Sequence, residues 1–117
     1  HRQSGRGVLF VSIHADSSSN RRARGCTVYV CRDADDVSVR AGHGMVQAVA
    51  RAGLSTRGIR RADYRVLTRT RCPAILVEMG YLSNAAEARS LADRAAQMRL
   101  AESLAEGLIG FLHAGGS

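Results

Sequence analysis

At 117 residues with a 45% hydrophobic share, the chain fits one domain with its own core, and a single proline without a long Ser/Gly tract excludes a disordered linker. No run approaches the roughly 18 consecutive apolar residues of a membrane span, and the polar opening His1-Arg2-Gln3-Ser4-Gly5-Arg6-Gly7 is too short for a signal peptide. The net charge of +7 suits an anionic polymer or a solvated basic surface alike, and nucleic acid is not expected, because none of the three Tyr and two Phe residues sits in the densest basic run, Arg21-Arg22-Ala23-Arg24.

In chain order, Val8–Ile13 is a short apolar run rich in β-branched and aromatic residues, which predicts a strand buried on both faces. Ser17–Asn20 and the arginine run form a loop, and Gly25–Cys31 reads as a second strand. From Asp36 to Ala52 the pattern turns helical, with Val39, Val46, Val49 and Ala50 on one face and Gly53 as a left-handed cap. A loop holding Gly58, Arg60 and Arg61 leads to Tyr64–Leu67, read as a short strand. Pro73 then introduces the strand Ala74–Met79. Asn84 with Glu87 forms a capping pair for a helix, and a last helix spans Ala95–His113 with Leu100, Leu104, Leu108, Phe111 and Leu112 as its stripe. Strands alternating with helices predict an α/β layer fold. Cys26 and Cys31 point to opposite faces of their strand, so they do not meet, and the pairing of Cys72 stays open.

Two residues break core rules. Glu78 lies in the otherwise apolar strand Ala74–Met79, where a charge is costly unless paired or protonated, and an ion pair with an arginine explains it as well as catalysis does. His14 closes the first strand on the face shared by Val8, Phe10 and Ser12, where a structural hydrogen bond is the plain alternative. Both stand near the carboxyl ends of strands, where open α/β sheets bind ligands. If these strands run parallel, the two side chains converge on one rim. There a metal-bound water beside a carboxylate is a natural reading, and a partly apolar setting tunes that carboxylate for proton transfer.

Longer strings carry a resemblance. Phe10-Val11-Ser12-Ile13-His14-Ala15-Asp16 followed by Gly25-Cys26-Thr27-Val28-Tyr29-Val30 resembles the "SIHAN…G…VY" segment of zinc-dependent N-acetylmuramoyl-L-alanine amidases of the amidase-3 type. Tyr64-Arg65-Val66-Leu67, then Pro73 through Asn84, is similar to that family's "VL…PAVLVEXGFLSN" stretch. The resemblance implies a mixed, largely parallel sheet flanked by helices, like that of zinc exopeptidases, with His14 as a Zn2+ ligand and Glu78 as the catalytic acid/base. The implied reaction is hydrolysis of the amide between N-acetylmuramic acid and the L-alanine of the stem peptide. Peptidoglycan is then the partner, the location periplasmic or extracellular, and a monomer is expected. A non-catalytic wall-binding or regulatory relative is the alternative. The family's two other zinc ligands precede the "SIHAN" segment, so residues 1–117 are expected to be the later part of one catalytic domain, with earlier strands and ligands missing. His1 and His43 are the other nearby imidazoles, and Asp16 stands where the family often has Asn.

Overall fold

The apolar run behind Pro73 becomes the spine of the molecule. In the computed structural model, which describes residues 8–16, 25–81 and 84–113, this run is β4 (Ala74–Tyr81), flanked by β1 (Phe10–Asp16) and β2 (Cys26–Val30). With β3 (Thr56–Arg61) the sheet order is β1-β4-β2-β3. The β1/β4 and β2/β3 pairs are parallel and the β2/β4 pair is antiparallel. The sheet is thus mixed and largely parallel, as expected.

Alternation along each strand sorts the side chains into two faces. Val28, Val30, Ile75 and Val77, joined by the partly buried Leu9 and Val11, pack beneath α1 (Asp36–Arg51) and α4 (Arg94–His113). On the opposite face Ala74 and Leu76, with Phe10, Tyr29 and Cys31, meet Leu67 and Val66 of the short α2 (Arg65–Thr68). Cys26 and Cys31 fall on opposite faces, and none of the three cysteines is in a disulfide.

Helix α1 begins where the Asp35 carboxylate accepts the Ser38 N–H at 2.8 Å, which satisfies one orphan donor of the first turn. It ends at Gly53, with φ +77°, where the Leu54 N–H reaches back to the Val49 carbonyl at 3.2 Å. Its buried face takes in Val39, Val46 and Val49 of the expected stripe but is centred on smaller residues. Ser38, Ala41, Gly42, Met45, Ala48 and Val49 are buried, while Val39 and Val46 lie at the margin and Ala50 is exposed. Small residues win because α1 lies close to both sheet and α4. A Cβ on Gly107 of α4 would stand 2.9 Å from Met45 Sδ and 3.1 Å from Met45 Cα. Along α4, Leu100 and Leu104 are buried, Leu108 and Phe111 pack at the margin, and Leu112 is exposed. Helix α3 (Ala85–Ala92) starts at Asn84, whose Oδ1 accepts the Ala86 N–H at 3.0 Å. The Glu87 side chain, Ser17–Asn20, the run Arg21-Arg22-Ala23-Arg24 and His1 lie outside the described part.

Three expectations need correction. Residues 56–61, read as loop, form β3, an edge strand in which Ile59 alone packs on the core. Tyr64–Leu67, read as a short strand, instead leads into α2 (Arg65–Thr68), closed by Leu67 and Thr68 N–H groups donating to the Tyr64 carbonyl at 2.9 Å. And β1 is not buried on both faces. It is an edge of the described sheet, with Ile13 55% exposed and His14 exposed.

Candidate active site

The register of the central strands sets the site. His14 on β1 pairs with Glu78 on β4, and Glu78 pairs in turn with Thr27 on β2. Directly paired residues project to the same side of a sheet. That side is the one bearing Phe10, Tyr29 and Leu76, away from α1 and α4. Neighbouring strands lie about 4.8 Å apart, so imidazole, carboxylate and hydroxyl stand in one row across three strands. The row continues to Gly58 on β3, the partner of Thr27, which has no side chain.

The row is graded in exposure. His14, on the edge strand, is exposed, and its Nε2 stands 2.9 Å from Ser12 Oγ, the next residue on the same face. Glu78 is 2% exposed and Thr27 is fully buried. Glu78 is deeper than a strand tip would be, because β4 runs on to Tyr81. A buried carboxylate is tolerated only with partners. Glu78 and Thr27 each engage one, and no buried side-chain nitrogen or oxygen among the described residues is left without a hydrogen bond.

The fit to zinc is partial. An imidazole on an open edge is a suitable ligand, but catalytic zinc sites take three protein ligands and keep a position for water. Among the described residues His14 belongs to no group of three close ligand atoms, and His43 is exposed on α1, the helix that covers the other face. The close group that does exist is Cys31, Asp33 and Asp63, whose ligand atoms lie within 4.8 Å of one another. It sits at the far end of β2, four residues or roughly 13 Å along the strand from Thr27. Its Asp63 is already engaged, accepting the Arg32 N–H at 3.0 Å and facing the Arg32 guanidinium at 3.9 Å. Burial, then Asp63, then Asp33 push the Cys31 thiol above its ordinary value. Sequence reasoning missed this group because Cys31 and Asp63 are far apart along the chain.

A groove of about 770 Å³ lies on the other face, between the sheet and α3/α4, with Ile13, Ala15, Met79, Leu91, Leu100 and Leu104 in its wall. Its lining is mostly apolar and includes neither His14 nor Glu78, which project from the opposite side of the sheet.

Comparisons with known proteins agree with this architecture. The family model Amidase_3, N-acetylmuramoyl-L-alanine amidase, matches residues 2–110. The probable cell wall amidases LytH of Staphylococcus epidermidis and Staphylococcus aureus are 32% identical over 103 residues, covering 88% of this chain and 35% of theirs. Among solved structures, the catalytic domain of CwlV from Bacillus (Paenibacillus) polymyxa var. colistinus is 40% identical with a TM-score of 0.77, over 90% of this chain and 57% of that one. The N-acetylmuramoyl-L-alanine amidase of Clostridium difficile 630 is 28% identical with a TM-score of 0.84, over the same shares. The chain thus spans about a third of the length of these relatives and just over half of the solved chains. With that match along nearly all of its residues and the same α/β sheet, the chain belongs to the N-acetylmuramoyl-L-alanine amidase family.

Proposed function

We propose that this chain is the later part of the catalytic domain of a peptidoglycan amidase, which hydrolyses the amide between N-acetylmuramic acid and the L-alanine of the stem peptide. The observation that carries the reading is the β1/β4 register, which seats His14 directly beside Glu78 on the sheet face away from the helical core. In this proposal His14 is one zinc ligand, and the others come from a part of the longer protein that precedes β1. Bound zinc supplies acidification of a water and polarisation of the scissile carbonyl.

The chain's own residues carry the proton traffic. The Glu78 carboxylate takes a proton from the attacking water as that oxygen bonds to the lactyl carbonyl carbon. It then delivers the proton to the alanine nitrogen as the C–N bond breaks, leaving a lactyl carboxylate and a free amine. Burial of Glu78 strips bulk water from around that proton, so it passes between positioned groups. The Ser12 contact orients the imidazole ring of His14. Wall substrate places the protein outside the cytoplasmic membrane, in keeping with the cell wall relatives. No described helix is long and apolar enough to cross a membrane.

The test uses the full-length protein with Glu78→Gln and His14→Ala made separately. Glu78→Gln is expected to keep its zinc and lose muropeptide cleavage by about 10²–10⁴-fold, whereas His14→Ala loses both. Undiminished cleavage by Glu78→Gln would overturn the mechanism. A wall-binding protein without catalysis would be unaffected by Glu78→Gln.

A further inference from the structure

We infer that Arg60 determines substrate specificity: its guanidinium takes the carboxylate that the stem peptide carries on the residue after its L-alanine. The inference rests on the amidase reading of His14 and Glu78 and adds a residue that neither the sequence motifs nor the comparisons single out. Strand register places it. Tyr29 pairs with Leu76 on β4 and with Arg60 on β3, and Leu76 pairs with Ser12 on β1. A second row, Ser12, Leu76, Tyr29 and Arg60, therefore runs beside the row of His14, Glu78, Thr27 and Gly58 on the same face. Packing agrees with this assignment: Ile59, next to Arg60 in the chain, meets the helical core on the other face, while Leu76 and Tyr29 lie in the cluster on this one.

Of the three arginines on β3, Arg60 is the uncommitted one. Arg61 donates to the Cys31 and Arg32 carbonyls at 3.2 and 2.9 Å, and Arg57 is half-buried and engages a partner. Arg60 is exposed, and among the described residues its guanidinium has no hydrogen bond or ion pair. The approach to it is open, since a Cβ at Gly58 would meet nothing within 4 Å. Tyr29, between Arg60 and Leu76, is braced by the ring of Tyr64, edge-on at 5.2 Å. From Glu78, Arg60 lies two strands across and one two-residue step along, about 12 Å between backbones. With the scissile nitrogen at Glu78, the second residue of the stem stands about 7 Å along the face, which leaves about 5 Å for the arginine side chain to cover. A guanidinium keeps its charge at any usable pH and grips a carboxylate with two parallel N–H groups, a fit that a carboxamide does not offer.

The test uses the full-length protein and two muramyl peptides identical but for a carboxylate or a carboxamide on the second stem residue. The unaltered protein is expected to show a KM about three- to tenfold lower for the carboxylate peptide. Arg60→Gln should remove that preference by raising the carboxylate peptide's KM, with kcat and the carboxamide peptide's KM within about twofold. Arg60→Lys should keep part of the preference, because a point charge remains without the fork. Equal KM values for the two peptides in the unaltered protein overturn the inference. So does an Arg60→Gln effect that moves both peptides alike, which marks a loss of fold. Glu78→Gln separates the two readings. If it is inactive while Arg60→Gln leaves the carboxylate peptide's KM unchanged, the specificity role alone falls. If Glu78→Gln is fully active, the acid/base reading falls and takes this inference with it.

Discussion

The strand that carries Glu78 is tied down at its start by a single side chain, and cutting that tie has a calculable consequence. Ala74 opens β4, and its N–H donates not to a strand but to Ser38 Oγ of α1, at 2.9 Å. Both residues are buried, at 4% for Ser38 and 8% for Ala74. Ser38→Ala removes the acceptor and creates no room for water, so the Ala74 N–H is left unsatisfied at about 1–3 kcal/mol. Alanine is the better helix former by about 0.5 kcal/mol, which offsets part of that loss. The net expectation is a loss of about 1–2 kcal/mol. For a domain of this length that corresponds to a fall in melting temperature of about 3–8 °C, or a urea midpoint lower by about 0.5–1 M at unchanged slope. Ser38→Thr keeps the hydroxyl and serves as the control. If Ser38→Ala unfolds within about 0.25 M urea of the unaltered protein, as Ser38→Thr should, the hydroxyl does not anchor β4 (a threshold of about 0.5 kcal/mol).

Other consequences can be measured in the same way. Asp35→Ala should cost about 1 kcal/mol in equilibrium unfolding, because the Ser38 N–H loses its acceptor. Gly107→Ala gains about 1 kcal/mol of helix propensity but sets a methyl group 3.1 Å from the Met45 backbone, which cannot rotate away. Overpacking at about 1–3 kcal/mol should win, and a raised melting temperature would show that α1 and α4 separate freely. Burial first, then Asp63 and Asp33, hold the Cys31 thiol above its ordinary 9.0, so it has less thiolate at pH 8 than an unfolded cysteine. Alkylation of Cys31 should therefore speed up in Asp63→Asn. By linkage, this thiol's contribution to stability is present below pH 9.0 and is lost as the pH rises above that value. Because His14 has no two further ligand groups close by among the described residues, residues 1–117 expressed alone should hold well under one zinc by elemental analysis.

What was legible in the sequence follows from how loudly each residue breaks or keeps a pattern. Ile75, Leu76 and Val77 announce a buried strand, and Glu78 announces itself by contrast with them. The edge strand β3 has no such contrast: Thr56-Arg57-Gly58-Ile59-Arg60-Arg61 is polar because edges are kept polar, and the same letters describe a loop. Tyr64 to Leu67 misleads in the other direction, since four residues are too few for a helical period to show. On α1, large apolar residues drew attention to Val39 and Val46, while close approach to the sheet and α4 selected Ala41, Gly42 and Ala48. His14 was found by its place at the end of a strand. Thr27 drew no attention, because threonine is ordinary in any strand and its place beside Glu78 comes only from the register of β2 on β4.

That register is set from the side of the sheet that faces away from His14 and Glu78. One residue along from the row of His14, Glu78 and Thr27 runs a second row, Ile13, Val77, Val28 and Ile59, on the opposite face. Val28 and Val77 are fully buried beneath the helices, so sliding β2 by one residue would expose Val28 and drive Thr27 into the apolar core. The penalty for that slip is paid in buried valine surface and an unpaired hydroxyl, and neither depends on substrate or metal. The acid and its neighbours therefore hold their alignment for reasons of packing, which leaves the residues of the row themselves free to be chosen for reactivity. On this argument, substitutions that thin the core at Val28 should misalign the row and depress activity beyond their effect on folded population, while equal loss of volume at Leu108, far from the row on α4, should depress only stability.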